Sequence, residues 1–316
     1  MTMGNHLSEL GGLPVFDFPG PGDTRALPGA GAVAWRISAD VYDAEEEWPQ
    51  AFARFTGTVD TRQVRSLVVG GWSEAYETSN AGIVEALAGA AGEFPALRAL
   101  FIGDITSEEC EISWITQSDV SPLLRAHPAL EEFGVRGGSG LVFPPVKHDA
   151  LRVLRIETGG LPREVVLGVA ASELPALTEL DLWLGTVDYG GDAKVGDLEA
   201  FLSGERLPAL RRLALRNSKL QNDIAAALAT APVVERLEVL DLSMGILDDE
   251  GAEALLAGQP LTHLGKLDLH HHYIGEPQQE RLRAALVPHG VELDLGDVQT
   301  PDVHAHGVDL YIAVAE

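Results

Sequence analysis

The sequence predicts an α/β solenoid, in which a parallel sheet lines the concave face of a horseshoe and helices cover the convex face. Two observations support this fold class. Three apolar positions with the spacing L-x-x-L-x-L recur in phase seven times between residues 97 and 269. Between these copies, apolar residues recur every three or four positions, as in helices with one buried face. Because a single strand-and-helix unit cannot bury its apolar face alone, neighbouring units are expected to stack into a continuous core.

Each copy of the repeat predicts one short strand, because its last two apolar residues alternate with a single residue between them. Weaker copies at Val64/Leu67/Val69 and Leu293/Leu295 flank the series, and Trp35/Ile37 opens it. We therefore expect about ten strands. The seven full copies are Leu97/Leu100/Ile102, Leu130/Phe133/Val135, Leu151/Leu154/Ile156, Leu177/Leu180/Leu182, Leu210/Leu213/Leu215, Leu237/Leu240/Leu242 and Leu264/Leu267/Leu269.

The segments between the strands predict helices. "NDIAAALATAP" places Ile224 and Leu228 on one face, and "DDEGAEALLAG" begins with carboxylates that suit a helix N-terminus. Ser79 is the expected cap of a helix in "SNAGIVEALAGA". The segment "GGSGLVFPPVKH" contains Pro144 and Pro145, so a loop is expected there.

The repeat resembles the leucine-rich repeat, and most unit lengths, 26 to 33 residues, resemble its ribonuclease-inhibitor-like class. The usual turn asparagine of that repeat is replaced here by Ser218, Gly245 and His272. The opening "HLSELGGLPVFDF" and the strand-like C-terminus resemble a bacterial family of cytoplasmic leucine-rich-repeat proteins that tend to be encoded near radical-SAM enzymes. This resemblance implies a protein partner or a pathway enzyme encoded nearby, and it implies no particular chemistry.

The chain is expected to have three parts. Residues 1–30 are rich in Gly and Pro and predict an irregular N-terminal cap segment, because solenoids need their end units covered. Residues 31–298 form the repeat solenoid. Residues 299–316 include "VDLYIAVAE", whose alternation predicts a C-terminal capping strand.

Charge and composition limit the classes of partner. The chain has 22 basic and 48 acidic residues, a net charge of −26, which disfavours nucleic acid and anionic membranes as partners. A basic protein partner is electrostatically allowed. The single cysteine, Cys110, and the lack of a cationic start or a membrane-length apolar stretch favour a cytoplasmic location.

Side chains beside the strand leucines are expected to point into the concave hollow and to contact a partner. Trp and Arg are common in binding hot spots, which favours the middle of the solenoid. Three aspartates share one column, where neighbours about 4.8 Å apart repel by roughly 1 kcal/mol in water. The ten predicted partner-binding residues are Arg136, Arg155, Glu157, Asp181, Trp183, Arg216, Asp241, Asp268, His270 and Asp294.

Three consecutive histidines, "HHH" at 270–272, raise the question of a metal site. Consecutive residues of a strand point apart, and no Cys lies near, so a structural zinc site is disfavoured. His271 and His272 are expected at the strand end and in the turn. A metal-binding protein or metal-dependent enzyme using Asp241, Asp268 and His270 remains an alternative hypothesis.

The sequence lacks the phosphate-binding, nucleophile-elbow and zinc-protease motifs. We therefore interpret the chain as a non-enzymatic protein-binding scaffold, with no cofactor or bound metal. A self-associating structural subunit is a third hypothesis.

Overall fold

The computed structural model describes residues 5–304 and 307–316. Backbone contacts divide the chain into two compact units. Unit 1 runs to Glu157 and also includes residues 172–174 and 316, whereas unit 2 contains residues 158–171 and 175–315. The sequence predicts one uninterrupted solenoid over 31–298 and gives no signal of this division.

Unit 1 contains seven strands that follow one another across a sheet in chain order. The first two form an antiparallel hairpin, and every later neighbour pair within the unit is parallel. The strands are β1 (Glu9–Leu10), β2 (Leu13–Asp17), β3 (Ala34–Ile37), β4 (Ser66–Val69), β5 (Ala99–Ile102), β6 (Glu132–Arg136) and β7 (Val153–Glu157). The helices are α1 (Trp48–Thr58), α2 (Ala81–Gly89) and α3 (Ser121–Ala126).

The N-terminus of unit 1 is more regular than its Gly- and Pro-rich composition suggests. The predicted irregular segment 1–30 contains β2, which pairs in parallel with β3, so the repeat sheet begins well before residue 31. Gly11 and Gly12 adopt φ of 60° and 70°, and form the two-residue turn that reverses the chain between β1 and β2. Glycine adopts positive φ without steric penalty, which is why this turn is possible here.

Unit 2 contains five parallel strands in chain order. They are β8 (Glu179–Gly185), β9 (Arg212–Ser218), β10 (Val239–Asp241), β11 (Lys266–Asp268) and β12 (Glu292–Asp294). The helices of this unit are α4 (Arg163–Ala171), α5 (Glu199–Leu202), α6 (Gln221–Leu228), α7 (Asp249–Ala257) and α8 (Glu276–Leu286).

The repeat leucines form the core of both units. Leu67, Leu100 and Leu154 in unit 1 and Leu240 and Leu267 in unit 2 are fully buried. The expected helices are present, but Asn80 rather than Ser79 precedes α2, and its side chain makes no capping hydrogen bond. The fold is therefore the α/β leucine-rich-repeat class that the sequence predicts. In the described part of the chain, every helix is too short or too polar to cross a membrane.

The C-terminal residues do not extend the sheet as a capping strand. Asp302–His304 and Gly307–Asp309 form a separate two-stranded antiparallel hairpin. The last residues then cross the carboxyl ends of β9 and β10, where the Val314 amide donates to Asn217 Oδ1 at 3.0 Å and the Ala313 amide donates to Met244 O at 2.8 Å. Asn217, near the end of β9, and Met244, after β10, have φ of 52° and 67°, so equivalent positions of two repeats share the left-handed conformation.

Candidate functional site

The predicted column of side chains between the strand leucines is present in both units. In unit 1, Val68 lies beside Phe101 and Phe101 beside Gly134. In unit 2, Asp241 lies beside Asp268, which lies beside Asp294. We call the sheet face that carries these columns the open face, because the repeat leucines point to the opposite, helix-covered side. The strand register predicted from the leucine phase is confirmed within each unit.

In unit 1, the open face is covered by the chain's own N-terminus. Leu7 and Leu10 pack against Ala34, Val68, Ala99 and Phe101, and all six are buried. A Cβ on Gly11 would lie 2.7 Å from Ser66 Oγ and 2.8 Å from Ala99 Cβ, so the segment lies directly on the sheet. We call residues 6–11 the N-terminal strap.

Asp104 follows β5 in the chain and is fully buried, and it holds the strap on the sheet. It accepts hydrogen bonds from the Leu7 amide at 3.0 Å and from Arg36 at 2.9 Å, and Arg136 lies 3.4 Å away. Burial tends to raise the pKa of Asp104, but His6, Arg136 and Arg36 outweigh it and lower the pKa below its usual value. The carboxylate is therefore held in its charged form and compensated on several sides.

His6, which no sequence argument singled out, lies between two carboxyl groups. Its Nδ1 is 3.5 Å from Asp104 and its Nε2 is 3.4 Å from Glu109. Hydrogen bonds with these two groups raise the pKa of His6 to about 9, although burial opposes the shift. The charged imidazolium therefore binds the strap to the loop that follows β5 at neutral pH.

Two of the predicted site residues of unit 1, Arg136 and Glu157, bind each other. Arg136 Nε donates to Glu157 at 2.8 Å, and its guanidinium lies 5.6 Å from the centre of the Phe101 ring. The two side chains are 4 % and 3 % exposed, so a partner could reach little of either. Arg155 is half-buried on the same face, in register with Gly134.

Trp183, the predicted hot spot of unit 2, is only 2 % exposed. The Arg216 guanidinium lies 5.2 Å from its ring centre. The same guanidinium makes two hydrogen bonds to Asp181, at 3.0 and 2.7 Å. Little of the indole is accessible to a partner, and Arg216 and Asp181 are largely engaged with each other.

Asp241, Asp268 and Asp294 form the acidic column of unit 2. In each repeat, the aspartate Oδ1 accepts the backbone N–H two residues later, from Ser243, His270 or Gly296, at 2.9–3.1 Å. These bonds aim the carboxylates in the same direction from neighbouring strands. Asp241 and Asp294 are half-buried and Asp268 is 8 % exposed, so the first two are the more accessible.

The cations beside the acidic column compensate part of its charge. Arg216 lies 3.2 Å from Asp241, and Lys266 lies 3.1 Å from Asp268. Burial raises the pKa of Asp241, against the influence of Arg216. Burial also works to raise the pKa of Asp268, but hydrogen bonds from His270 and Lys266 lower it overall.

His270 lies beside Asp268 in the acidic column. Its Nδ1 lies 2.7 Å from Asp268 Oδ1, and this hydrogen bond raises the pKa of His270 although burial opposes the shift.

The metal hypothesis receives no support from this geometry. The three groups whose ligand atoms lie within 4.8 Å of one another are Asp268, His270 and Asp294, so the predicted Asp241 is not among them. Asp268 already binds Lys266 and His270, and a cation there would have to displace an ammonium group. The metal alternative is therefore not supported.

The other two histidines have structural partners, as expected for turn residues. His271 has a φ of 55° and lies 3.1 Å from both Asp297 Oδ2 and Tyr311 O. His272 is fully buried: its Nδ1 accepts the Ile274 N–H at 3.0 Å, and its Nε2 lies 3.3 Å from Leu295 O. Burial lowers the pKa of His272, which keeps the ring neutral and able to accept the Ile274 bond.

Sequence reasoning missed the strap, His6 and Asp104. One signal was available: the predicted solvent-facing column of unit 1 contains Val68 and Phe101, with Ala34 and Ala99 beside them. An apolar surface of this kind needs a cover or a partner. The partner in this case comes from the same chain.

Solved structures of other proteins are similar to this chain. A crystal structure of a protein from Bacteroides fragilis, determined by a structural genomics consortium, has a TM-score of 0.74 and 29 % sequence identity, covering 80 % of this chain and 71 % of that chain. The match to an internalin from Listeria monocytogenes covers 85 % of this chain and 75 % of the internalin chain. Its identity is 12 % and its TM-score is 0.33, so we infer nothing from this similarity. No family profile and no curated protein sequence matches the chain.

Proposed function

We propose that this protein is a non-enzymatic scaffold that binds a protein partner through the open face of unit 2. The observation that carries the proposal is the acidic column, in which Asp241, Asp268 and Asp294 lie in register on neighbouring strands. Like charges at this spacing repel one another, so their alignment lowers stability unless a cation compensates them. A positively charged partner segment would supply that compensation.

The acidic column and Glu292 together carry four carboxylates. The basic groups beside them are Lys266, His270 and Arg216, and Arg216 also binds Asp181. The local balance stays negative, and the whole chain has a net charge of −26. Such a field attracts basic partners and raises their association rate. The proposed partner is therefore basic where it contacts unit 2.

The remaining predicted contacts have a smaller part in this proposal. Arg136, Glu157 and Trp183 are almost fully buried, and Arg136 and Glu157 bind each other. We infer that these residues maintain the fold of the face, whereas Asp241, Asp294 and His270 contact the partner. The ribonuclease-inhibitor-like class, the cytoplasmic location and the nearby pathway enzyme remain expectations of the same proposal.

The test is a capture experiment with quantitative mass spectrometry, using lysate of the source organism and three immobilised proteins. These are the wild type, Asp241→Asn/Asp294→Asn, and a charge-matched control, Glu235→Gln/Glu238→Gln, whose residues are exposed outside the column. We expect a basic protein to be retained by the wild type and the control and reduced about tenfold by the column variant. If all three proteins retain the same set in the same amounts, the proposal is wrong.

A further inference from the structure

Unit 1 carries a second surface that the proposed function does not use. Tyr42, Tyr76 and Trp114 lie in the three consecutive loops that follow β3, β4 and β5, so each repeat contributes one aromatic side chain at the same edge of the sheet. Tyr42 is 63 % exposed and Trp114 is 56 % exposed. We call these three residues the aromatic edge.

The aromatic edge is held together by direct contacts. The rings of Tyr42 and Tyr76 stack, with centroids 5.7 Å apart and planes 27° apart. Thr116 links the loop of Tyr76 to the loop of Trp114, because its hydroxyl lies 3.3 Å from the carbonyl oxygens of both residues. The Thr116 amide also donates to Ala75 O at 2.8 Å. The two tyrosine rings and the backbone that carries Trp114 are therefore positioned before any partner arrives, which lowers the entropy cost of binding.

Tyr76 is half-buried between its neighbours, whereas Trp114 is exposed, which is unusual for a tryptophan of this protein. The other four tryptophans, Trp35, Trp48, Trp72 and Trp183, are at most 4 % exposed. Tyrosine and tryptophan are enriched at binding hot spots because they combine a large rigid apolar area with a polar group. A row of such side chains, rather than one isolated ring, indicates an interaction surface.

The same three loops are strongly acidic. Residues 38–47, 73–79 and 107–114 contain ten carboxylates and no Lys, Arg or His. Arg54 pairs with Glu46 and His6 with Glu109, and in the described part of the chain no ion pair compensates the other eight. The carboxylates are Asp40, Asp43, Glu45, Glu46, Glu47, Glu74, Glu77, Glu108, Glu109 and Glu111.

From this combination we propose that the aromatic edge is a docking surface for an arginine-containing segment of a protein partner. A guanidinium can stack on Tyr42 or Trp114 while pairing with a neighbouring carboxylate, which an ammonium group does less well. This surface is on unit 1 and is independent of the acidic column of unit 2. Its test can therefore fail while the proposed function stands.

The probe is a fluorescein-labelled nona-arginine peptide, titrated into the full-length protein at 150 mM salt and followed by anisotropy. Salt at this level weakens long-range attraction to the net negative charge and leaves close contacts. Tyr42→Ala/Trp114→Ala should weaken binding about tenfold, although it changes no charge. Both side chains are mainly exposed, so the fold should persist, which circular dichroism would confirm. An unchanged dissociation constant would refute the proposal.

A second comparison separates this surface from total charge. Glu74→Gln/Glu77→Gln/Glu111→Gln removes three charges at the aromatic edge. The matched control removes three exposed charges elsewhere, at Glu205, Glu235 and Glu238. We expect the edge variant to lose at least fivefold more affinity for nona-arginine than the control. Equal losses would mean that the peptide senses net charge alone, which would overturn the proposal.

Trp114 also reports directly on occupancy. Since it is the exposed tryptophan, acrylamide quenching of the intrinsic fluorescence should arise mainly from it. Saturating unlabelled nona-arginine should protect the wild type against quenching about twofold. If quenching is the same with and without the peptide, the peptide binds elsewhere and the aromatic edge is not the docking surface.

Discussion

The N-terminal strap gives a prediction whose size follows from the structure. Leu10 is 2 % exposed and packs on Val68 and Phe101. Truncation to alanine removes about three buried carbons, at about 0.8 kcal/mol each, and leaves a partial cavity. We therefore expect Leu10→Ala to weaken the docking of the strap by about 3 kcal/mol, or roughly 100-fold in the equilibrium between docked and released states.

Hydrogen exchange measures this effect at defined atoms. The amides of Leu7 and Gly11 donate to the side chains of Asp104 and Glu132, both at 3.0 Å, so release of the strap from the sheet breaks both bonds. Their protection should fall about 100-fold in Leu10→Ala, whereas the amides of β4 and β5 should change little. Leu10→Met conserves volume and is the matched control, with an expected cost below about 1.5 kcal/mol.

Two results would refute the reasoning. If protection at Leu7 and Gly11 fell less than threefold, Leu10 would not hold the strap. If the amides of β4 and β5 lost protection equally, the strap would belong to the cooperative core of unit 1 and would not open separately. In either case the picture of a detachable cover would be wrong.

Three further predictions concern histidines. The pKa of His6 is raised to about 9 in the folded state, so its stabilising effect is complete below about pH 6.5 and is lost as the pH rises through 9. The stability difference between wild type and His6→Gln should shrink by about 1 kcal/mol over that range in urea titrations, after allowance for solvent screening. His272→Ala should lower stability by about 2–4 kcal/mol because it leaves buried backbone groups unpaired, and His272→Asn should cost clearly less; equal costs would contradict this. An NMR titration should place the pKa of His270 above 6.5, and Asp268→Asn should lower it, since the Asp268 bond is the largest cause of the shift.

The strand register was predictable because the side-chain period of a strand is two and the leucine phase is strict. Shifting one strand by a single residue would turn its leucines away from the core. Leu240 and Leu267, for example, are paired across β10 and β11 as their shared phase requires. Such short-range patterns are sufficient to place Asp241 and Asp268 side by side.

What covers the open face was not predictable from those patterns. The contact between Leu7 and Phe101 joins residues 94 positions apart, and no periodicity encodes it. The glycines and proline around β2 also resemble irregular chain, although Gly11 and Gly12 form a tight turn. The burial of Trp183 was missed for a related reason, since the register indicates which way a side chain points but not what lies above it.

The aspartates of the acidic column make hydrogen bonds to the backbone and also carry charge, and substitutions can separate these two effects. Each aspartate accepts a backbone N–H two residues later, which explains a side chain with an acceptor oxygen at that position. An asparagine can make the same bond without charge, so the turn alone does not explain three aspartates in register. Asp294→Asn should therefore leave stability unchanged or raise it by about 0.5–1 kcal/mol through relief of repulsion, whereas Asp294→Ala should lower it. If thermal denaturation shows that the Asn variant is as unstable as the Ala variant, the charge itself stabilises the turn. The alignment of the three carboxylates would then not indicate a basic partner.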